Sequence, residues 1–99
     1  MSRGIIIRPE AEAELAEAYA WYGQQRPGLG DEFLLRLDAC LSTIQSNPVL
    51  HPIVHRDIRR ALLRRFPYGV FYVLGEDRIT VLAILHLSRD PTRWMDRSP

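Results

Sequence analysis

"IRRALLRRFPYGVFYVLGEDRITVLAILHL", residues 58 to 87, contains three β-branched and aromatic runs separated only by turn-forming residues. The runs span 58–66, 68–74 and 78–87, with "FPYG" and "GEDR" between them. Connections this short permit only antiparallel pairing, because a parallel neighbour needs a crossover of about a dozen residues. The stretch therefore reads as a three-stranded meander. In the first run Arg59, Ala61, Leu63 and Arg65 share one face and Arg60, Leu62, Arg64 and Phe66 the other, so neither face is wholly apolar. The last run places Ile79, Val81, Ala83 and Leu85 on one face and Thr80, Leu82, Ile84 and His86 on the other, the pattern of a central strand.

Upstream, "RGIII" (3–7) has the composition of a short strand, and Pro9 suits the first turn of a helix, where its missing N–H costs nothing. Ala11, Leu15, Ala18 and Tyr22 then recur at helical spacing, while Glu10, Glu14 and Glu17 fall on another face. "GQQRPGLG" (23–30) breaks the pattern, and a second helix carries Leu34, Leu37, Leu41 and Ile44, flanked by Phe33 and Cys40, until Asn47 and Pro48 end it. The segment "VLHPIVHRD" (49–57), with two prolines, reads as an irregular crossing. The fold expected is α+β in one domain, residues 1–99: an N-terminal strand, an α-helical hairpin, then the meander, with the helices on one face of a small, mostly antiparallel sheet. Left uncovered, the other face would present aliphatic side chains beside arginines, a mixture that marks binding surfaces.

The chain carries a net charge of +1, but residues 1–50 hold four arginines against seven acids (−3) and residues 51–99 nine arginines against five (+4). All 13 basic residues are arginine, whose planar fork suits phosphate and carboxylate but whose pKa makes it a poor base. One cysteine, Cys40, cannot close an internal disulfide and sits at a core spacing, so a reducing cytoplasmic location is expected. No apolar stretch reaches the length of a membrane span, and "MSRGIIIRPE" has too short an apolar run for a signal peptide.

His51 and His55 stand four apart, but "HPIVH" contains Pro52 and no metalloprotease glutamate, so no metal and no cofactor is expected. The basic edge of the meander offers Arg59, Arg60, Arg64, Arg65, His86, Arg89 and Arg93, with Trp94 nearby. If RNA were cleaved through its 2′-hydroxyl, His86 would be the proton-transfer group titrating nearest neutrality, with Tyr68 or Tyr72 less suited, and the arginines would supply charge. The bland alternative is a strand-end histidine, a solvated arginine face and a Trp94 that roofs the core.

Taken in order, "AWY" (20–22), "PGLGDEF" (27–33), "NP" (47–48), "IRRALLRRFPYGVFYVL" (58–74) and "ITVLAILHLSRDPTRW" (79–94) resemble the RelE/ParE toxin superfamily, often labelled plasmid stabilisation proteins. The resemblance covers nearly the whole chain and implies the toxin of a type II toxin–antitoxin system. RelE-like members cut messenger RNA on the ribosome; ParE-like members inhibit DNA gyrase. Arg65, Arg89 and His86 would be the catalytic set of a nuclease, yet Trp94 stands where many nucleases keep a tyrosine, and this favours the ParE-like, non-enzymatic branch. The target-binding set is then Arg59, Arg60, Arg64, Arg65, His86, Arg89, Arg93 and Trp94. A ParD-like antitoxin of ribbon-helix-helix type would lay an amphipathic helix on Leu15, Tyr19, Tyr22, Phe33, Leu34 and Leu37. A non-toxic binding module descended from the same family is the third reading.

Overall fold

The computed structural model describes residues 3–97. Its elements run β1 (Gly4–Ile7), α1 (Pro9–Gln25), α2 (Leu29–Ser46), β2 (Ile53–His55), β3 (Ile58–Leu62), β4 (Tyr68–Leu74), β5 (Arg78–His86) and α3 (Thr92–Met95). The five strands form one sheet in the order β1-β5-β4-β3-β2. β1 pairs parallel to β5, from Gly4 opposite Arg78 to Ile7 opposite Val81, and the meander pairs antiparallel. The expected architecture is therefore present, with one addition. "IVH" in the segment read as irregular is an edge strand, joined to β3 through a turn in which Arg56 takes a left-handed φ of 52°.

The helical hairpin closes over one side of the sheet because both helices direct an apolar stripe at it. Ala11 and Ala18 of α1 and Phe33, Leu37, Cys40 and Ile44 of α2 are buried against Ala61, Val70, Tyr72, Ile79, Val81 and Ile84. Gly28, at φ 85°, makes the left-handed turn between the helices, a conformation that carries no Cβ penalty only for glycine. Gly30 serves a different purpose. A Cβ there would lie 2.8 Å from the Tyr19 carbonyl oxygen and 3.1 Å from its ring, so the α1–α2 crossing depends on the missing side chain. Gly30→Ala is expected to cost about 1–3 kcal/mol, seen as a lower urea midpoint at unchanged slope.

Two strand alternations depart from the sequence reading. β3 ends at Leu62, and beyond it Leu63 and Phe66 both turn into the helix-side core while Arg64 and Arg65 both face out. Arg65, at φ 70°, makes this turn possible. In β5 the register slips where Phe71 and Tyr72 of β4 face Ala83 and Val81, leaving Leu82 as an extra residue. Side chains change faces across such a bulge. Ile79, Val81 and Ile84 consequently face the helices, whereas Leu82, Ala83 and Leu85 face away.

The end of β1 explains why Glu14 does not share the solvent face expected for it with Glu10 and Glu17. β1 ends beside it, its last bond running from the Arg8 N–H to the Val81 carbonyl. Past that point the Ile84 N–H and the Leu82 carbonyl have no neighbouring strand. Glu14, only 7 % exposed, accepts from the Ile84 N–H at 3.0 Å, and Arg97 donates to the Leu82 carbonyl at 3.1 Å. The two side chains then pair with each other at 2.9 Å. An ion pair thus stands in for the missing stretch of sheet.

The face away from the hairpin is not open, and the expectation of a mixed aliphatic and arginine surface there is corrected. Ile58, Phe71, Val73, Leu82, Ala83 and Leu85 form a second buried cluster beneath Trp94, with Val54 and Met95 at its margin. The Trp94 ring stacks on Phe71 at 4.4 Å. α3 is four residues long, too short for periodicity to reveal it, and it brings the roof into place. Leu62 remains exposed on this side. Among the described residues no helix is long and apolar enough to cross a membrane, and no cluster of three His, Cys, Asp or Glu side chains could hold a metal ion.

Candidate functional site

A concavity of about 650 Å³ lies where the end of β5 passes beneath α1. Glu14, Glu17, Ala18, Trp21 and Tyr22 of α1 make one wall, Tyr68, Ile84 and His86 contribute from the sheet, and Ser88, Arg89 and Arg93 line the side beyond β5. The sheet supplies rigidity and the segment after β5 supplies charge. Trp21 is 55 % exposed, off the buried stripe of its helix, with its ring edge-on to Tyr22 at 5.0 Å. Tyr22 in turn meets Phe66 and Tyr68, so the aromatic wall is braced from the core.

His86 ends β5 as a fixed group. The Ser88 backbone N–H donates to its Nδ1 at 3.0 Å, and Ser88 Oγ lies 2.8 Å from the same nitrogen. A nitrogen that accepts an N–H carries a lone pair, which leaves the proton of the neutral ring on Nε2. The ring stands edge-on to Tyr68 at 5.4 Å. Burial pushes the Tyr68 hydroxyl above its ordinary range; Arg89 opposes this and Glu17 adds to it. Burial, then Tyr68, raises Tyr22 as well. Both phenols therefore remain O–H groups at neutral pH, facing Arg89 and Arg93 across the groove. The arrangement offers aromatic surface, hydroxyl donors and two guanidinium groups around a histidine, a combination suited to gripping a polar macromolecular surface.

The sequence-predicted residues divide among several places. His86, Arg89 and Arg93 meet in the groove. Arg65 sits exposed in the β3–β4 turn and does not line it. Arg59 is occupied structurally, its Nη1 donating to the His51 carbonyl at 2.7 Å and to that of Val49 at 3.3 Å. Arg60 is half-buried with its Nε unpaired among the described residues, and Arg64 borders a separate cleft beside α2. A single basic face is therefore not formed, because alternation along β3 and the turn after it send neighbouring arginines in different directions. Trp94, placed in the target-binding set, is 7 % exposed and is corrected to a core residue.

Of the antitoxin-facing set, Phe33 and Leu37 are corrected too: at 0 % and 1 % exposed they are held between the hairpin and the sheet. Leu15, Tyr22 and Leu34 are half-buried at the edge of that core, and Tyr19 is exposed, its hydroxyl 3.4 Å from Asp31. Trp21, Glu17 and Ser88 were not singled out from the sequence as site residues. Trp21 carried a usable signal, since a tryptophan one position off the buried stripe of an amphipathic helix has no place in the core.

A family model described as the ParE toxin of the type II toxin–antitoxin system parDE matches residues 5–91. Among curated proteins, Toxin ParE2 of Mycobacterium tuberculosis, from strain CDC 1551 / Oshkosh and from strain ATCC 25618 / H37Rv, is 28% identical over 92 residues, covering 92% of this chain and 88% of the relative. Among solved structures, the chromosomal ParDE TA system from P. aeruginosa superimposes with a TM-score of 0.76 at 17% identity, covering 86% of this chain and 96% of that one.

Proposed function

Because the chain belongs to the ParE toxin family of type II toxin–antitoxin systems, we propose that it arrests growth in the cytoplasm by inhibiting DNA gyrase, and that a ParD-like antitoxin holds it inactive. The observation that carries the gyrase reading over the nuclease one is the match of residues 5–91 to the ParE toxin model, and it is supported by Arg65 lying outside the lining of the groove that holds His86 and Arg89. Cleavage through a 2′-hydroxyl needs a base, an acid and phosphate-stabilising charge within reach of one reacting centre. The groove gathers only two of the three candidate residues, and the hydrogen bond from Ser88 occupies the His86 nitrogen that could have taken a proton.

In this reading Arg89, Arg93 and Trp21 contact the target, with His86 Nε2–H and the tyrosine hydroxyls as further donors. The antitoxin, of ribbon-helix-helix type, lays an amphipathic helix along the accessible edge of the hairpin, at Leu15, Tyr19, Tyr22 and Leu34. Tyr22 belongs to both surfaces, which would let antitoxin binding close the groove.

The purified protein is expected to block gyrase supercoiling while leaving ribosome-bound message intact. Arg89→Gln with Arg93→Gln should raise the concentration needed for inhibition by more than about tenfold, since each lost charge-assisted contact is worth on the order of 1.5–3 kcal/mol. Its unfolding midpoint should stay unchanged. Message cut on the ribosome, abolished by His86→Ala, would replace this reading with the nuclease one; neither activity and no growth arrest would identify a non-toxic binding module.

A further inference from the structure

A second cleft, about 220 Å³, opens on another part of the molecule, between α2 and the end of β3. Arg36, Ala39, Cys40 and Thr43 line it from one face of α2, Leu62 and Arg64 from the end of β3, and His51 from the segment between α2 and β2. Its acceptors are already engaged. The Leu62 carbonyl receives the Cys40 thiol at 3.9 Å, and the Thr43 hydroxyl donates to the Ala39 carbonyl at 3.1 Å. Its donors are not. His51 Nε2 is buried with no hydrogen-bond partner among the described residues, and neither Arg36 nor Arg64 makes an ion pair or a side-chain hydrogen bond there.

Buried polar atoms in native proteins are paired in the great majority of cases, so an imidazole nitrogen left alone in a cleft that two arginines also line marks a place for a polar ligand, and the arginines call for one with acceptors. No carboxylate lines the cleft to fill that part. The Cys40 thiol cannot do so either, since burial pushes its pKa to about 11 and keeps it neutral. His51 is also held in position. Arg59 fixes its carbonyl, and its ring stands edge-on to Tyr72 at 6.2 Å, whose hydroxyl donates to the Pro48 carbonyl.

We propose that this cleft binds a phosphate group, held by the Arg36 and Arg64 guanidinium groups and the His51 imidazole. Donors arriving from three chain segments suit a tetrahedral anion, which presents acceptors in several directions, better than a planar carboxylate. The size agrees: pockets for whole drug-sized ligands run to roughly 300–1,000 Å³, so a cleft smaller than these takes an anionic head group.

The test uses the full chain in a chloride buffer, titrated with inorganic phosphate and followed by the NMR signals of its three histidines, His51, His55 and His86. Saturable movement of His51 alone is expected. Burial, then the charge of Arg59, lowers the His51 pKa, and a bound dianion should raise it again. Arg36→Gln and Arg64→Gln should each weaken phosphate by at least about tenfold, the loss of one charge-assisted contact. Arg65→Gln, one residue from Arg64 but outside the cleft, should leave the affinity within about twofold, as expected where only general charge is lost. Adenosine monophosphate should bind like inorganic phosphate if the site accepts a phosphate carried on a nucleoside, and fail if it accepts the free ion alone; either result supports the site. Movement of His86 or His55 in place of His51, equal losses in all three arginine variants, or acetate binding as tightly as phosphate would overturn it.

Discussion

Glu14→Ala is expected to lower the unfolding midpoint by about 12–24 °C, the equivalent of about 3 kcal/mol in a chain of this size. The magnitude follows from what is left behind. Arg97, 18 % exposed, would remain charged with only the neutral Leu82 carbonyl as a partner, and the Ile84 N–H at the bulge would lose its acceptor. Burying one member of a broken ion pair costs far more than the intact pair contributes. Glu14→Gln separates the two effects, since its carbonyl can still accept from the Ile84 N–H; it should lose roughly half as much. Arg97→Met should fall between them, because the carboxylate it leaves retains the backbone bond. A double-mutant cycle over Glu14 and Arg97 would yield the coupling directly, and a coupling near zero would mean that the bulge is held by β4 alone. The consequence reaches the groove, because Glu14 lines it and the same bulge sets which way His86 points.

The parts of this molecule that periodicity controls were readable from the chain. Ala11 and Ala18, Leu37 and Ile44, and the three runs of the meander are all placed by repeats of 3.6 or 2 residues, and they occupy the core as those repeats require. The family resemblance and the α+β order rested on these same stretches. What resisted reading is where a single residue breaks a repeat. Leu82 inserts into β5 and reverses every side chain after it, so Leu85 lies beneath Trp94 and not beside Val81. Arg65 adopts a left-handed backbone that no composition announces, and Phe66 goes inward with Leu63. Glu14 looked like its neighbours Glu10 and Glu17, and only the end of β1 reveals why a buried acid is needed there. The site followed the same division. His86, Arg89 and Arg93 are close in sequence and stay close in space, whereas the arginines of β3 disperse because the strand alternates and then stops.

Trp94→Ala should cost about 3–5 kcal/mol, a large part of the total stability of about 5–15 kcal/mol expected of a domain this size. Trp94 is the largest side chain of the second cluster, which it shares with Leu82 and Leu85, and its ring is stacked on Phe71 and edge-on to His55 at 6.1 Å. Removing it leaves a cavity that a four-residue helix cannot collapse to fill. Trp94→Phe keeps the stacking and should lose on the order of 1 kcal/mol. The two tryptophans allow a clean readout, because Trp21 is exposed and Trp94 is not. In a Trp21→Phe background the emission of Trp94 should lie to the blue and move red in step with loss of the helical signal on heating. Function should follow the roof. α3 carries Arg93, and its start is fixed by the Asp90 carboxylate accepting from the Thr92 N–H at 3.0 Å, a bond that also lowers the Asp90 pKa. If the chain inhibits gyrase as proposed, Trp94→Phe should therefore retain that activity, while Trp94→Ala, assayed at a temperature where it is still folded, should be weakened through a loosened Arg93. A Trp94→Ala protein within about 1 kcal/mol of the parent would show that the second cluster lies outside the cooperative fold. In that event the position of Arg89 and Arg93 would have to be set by β5 alone, and their response to the Glu14 substitutions would decide whether it is.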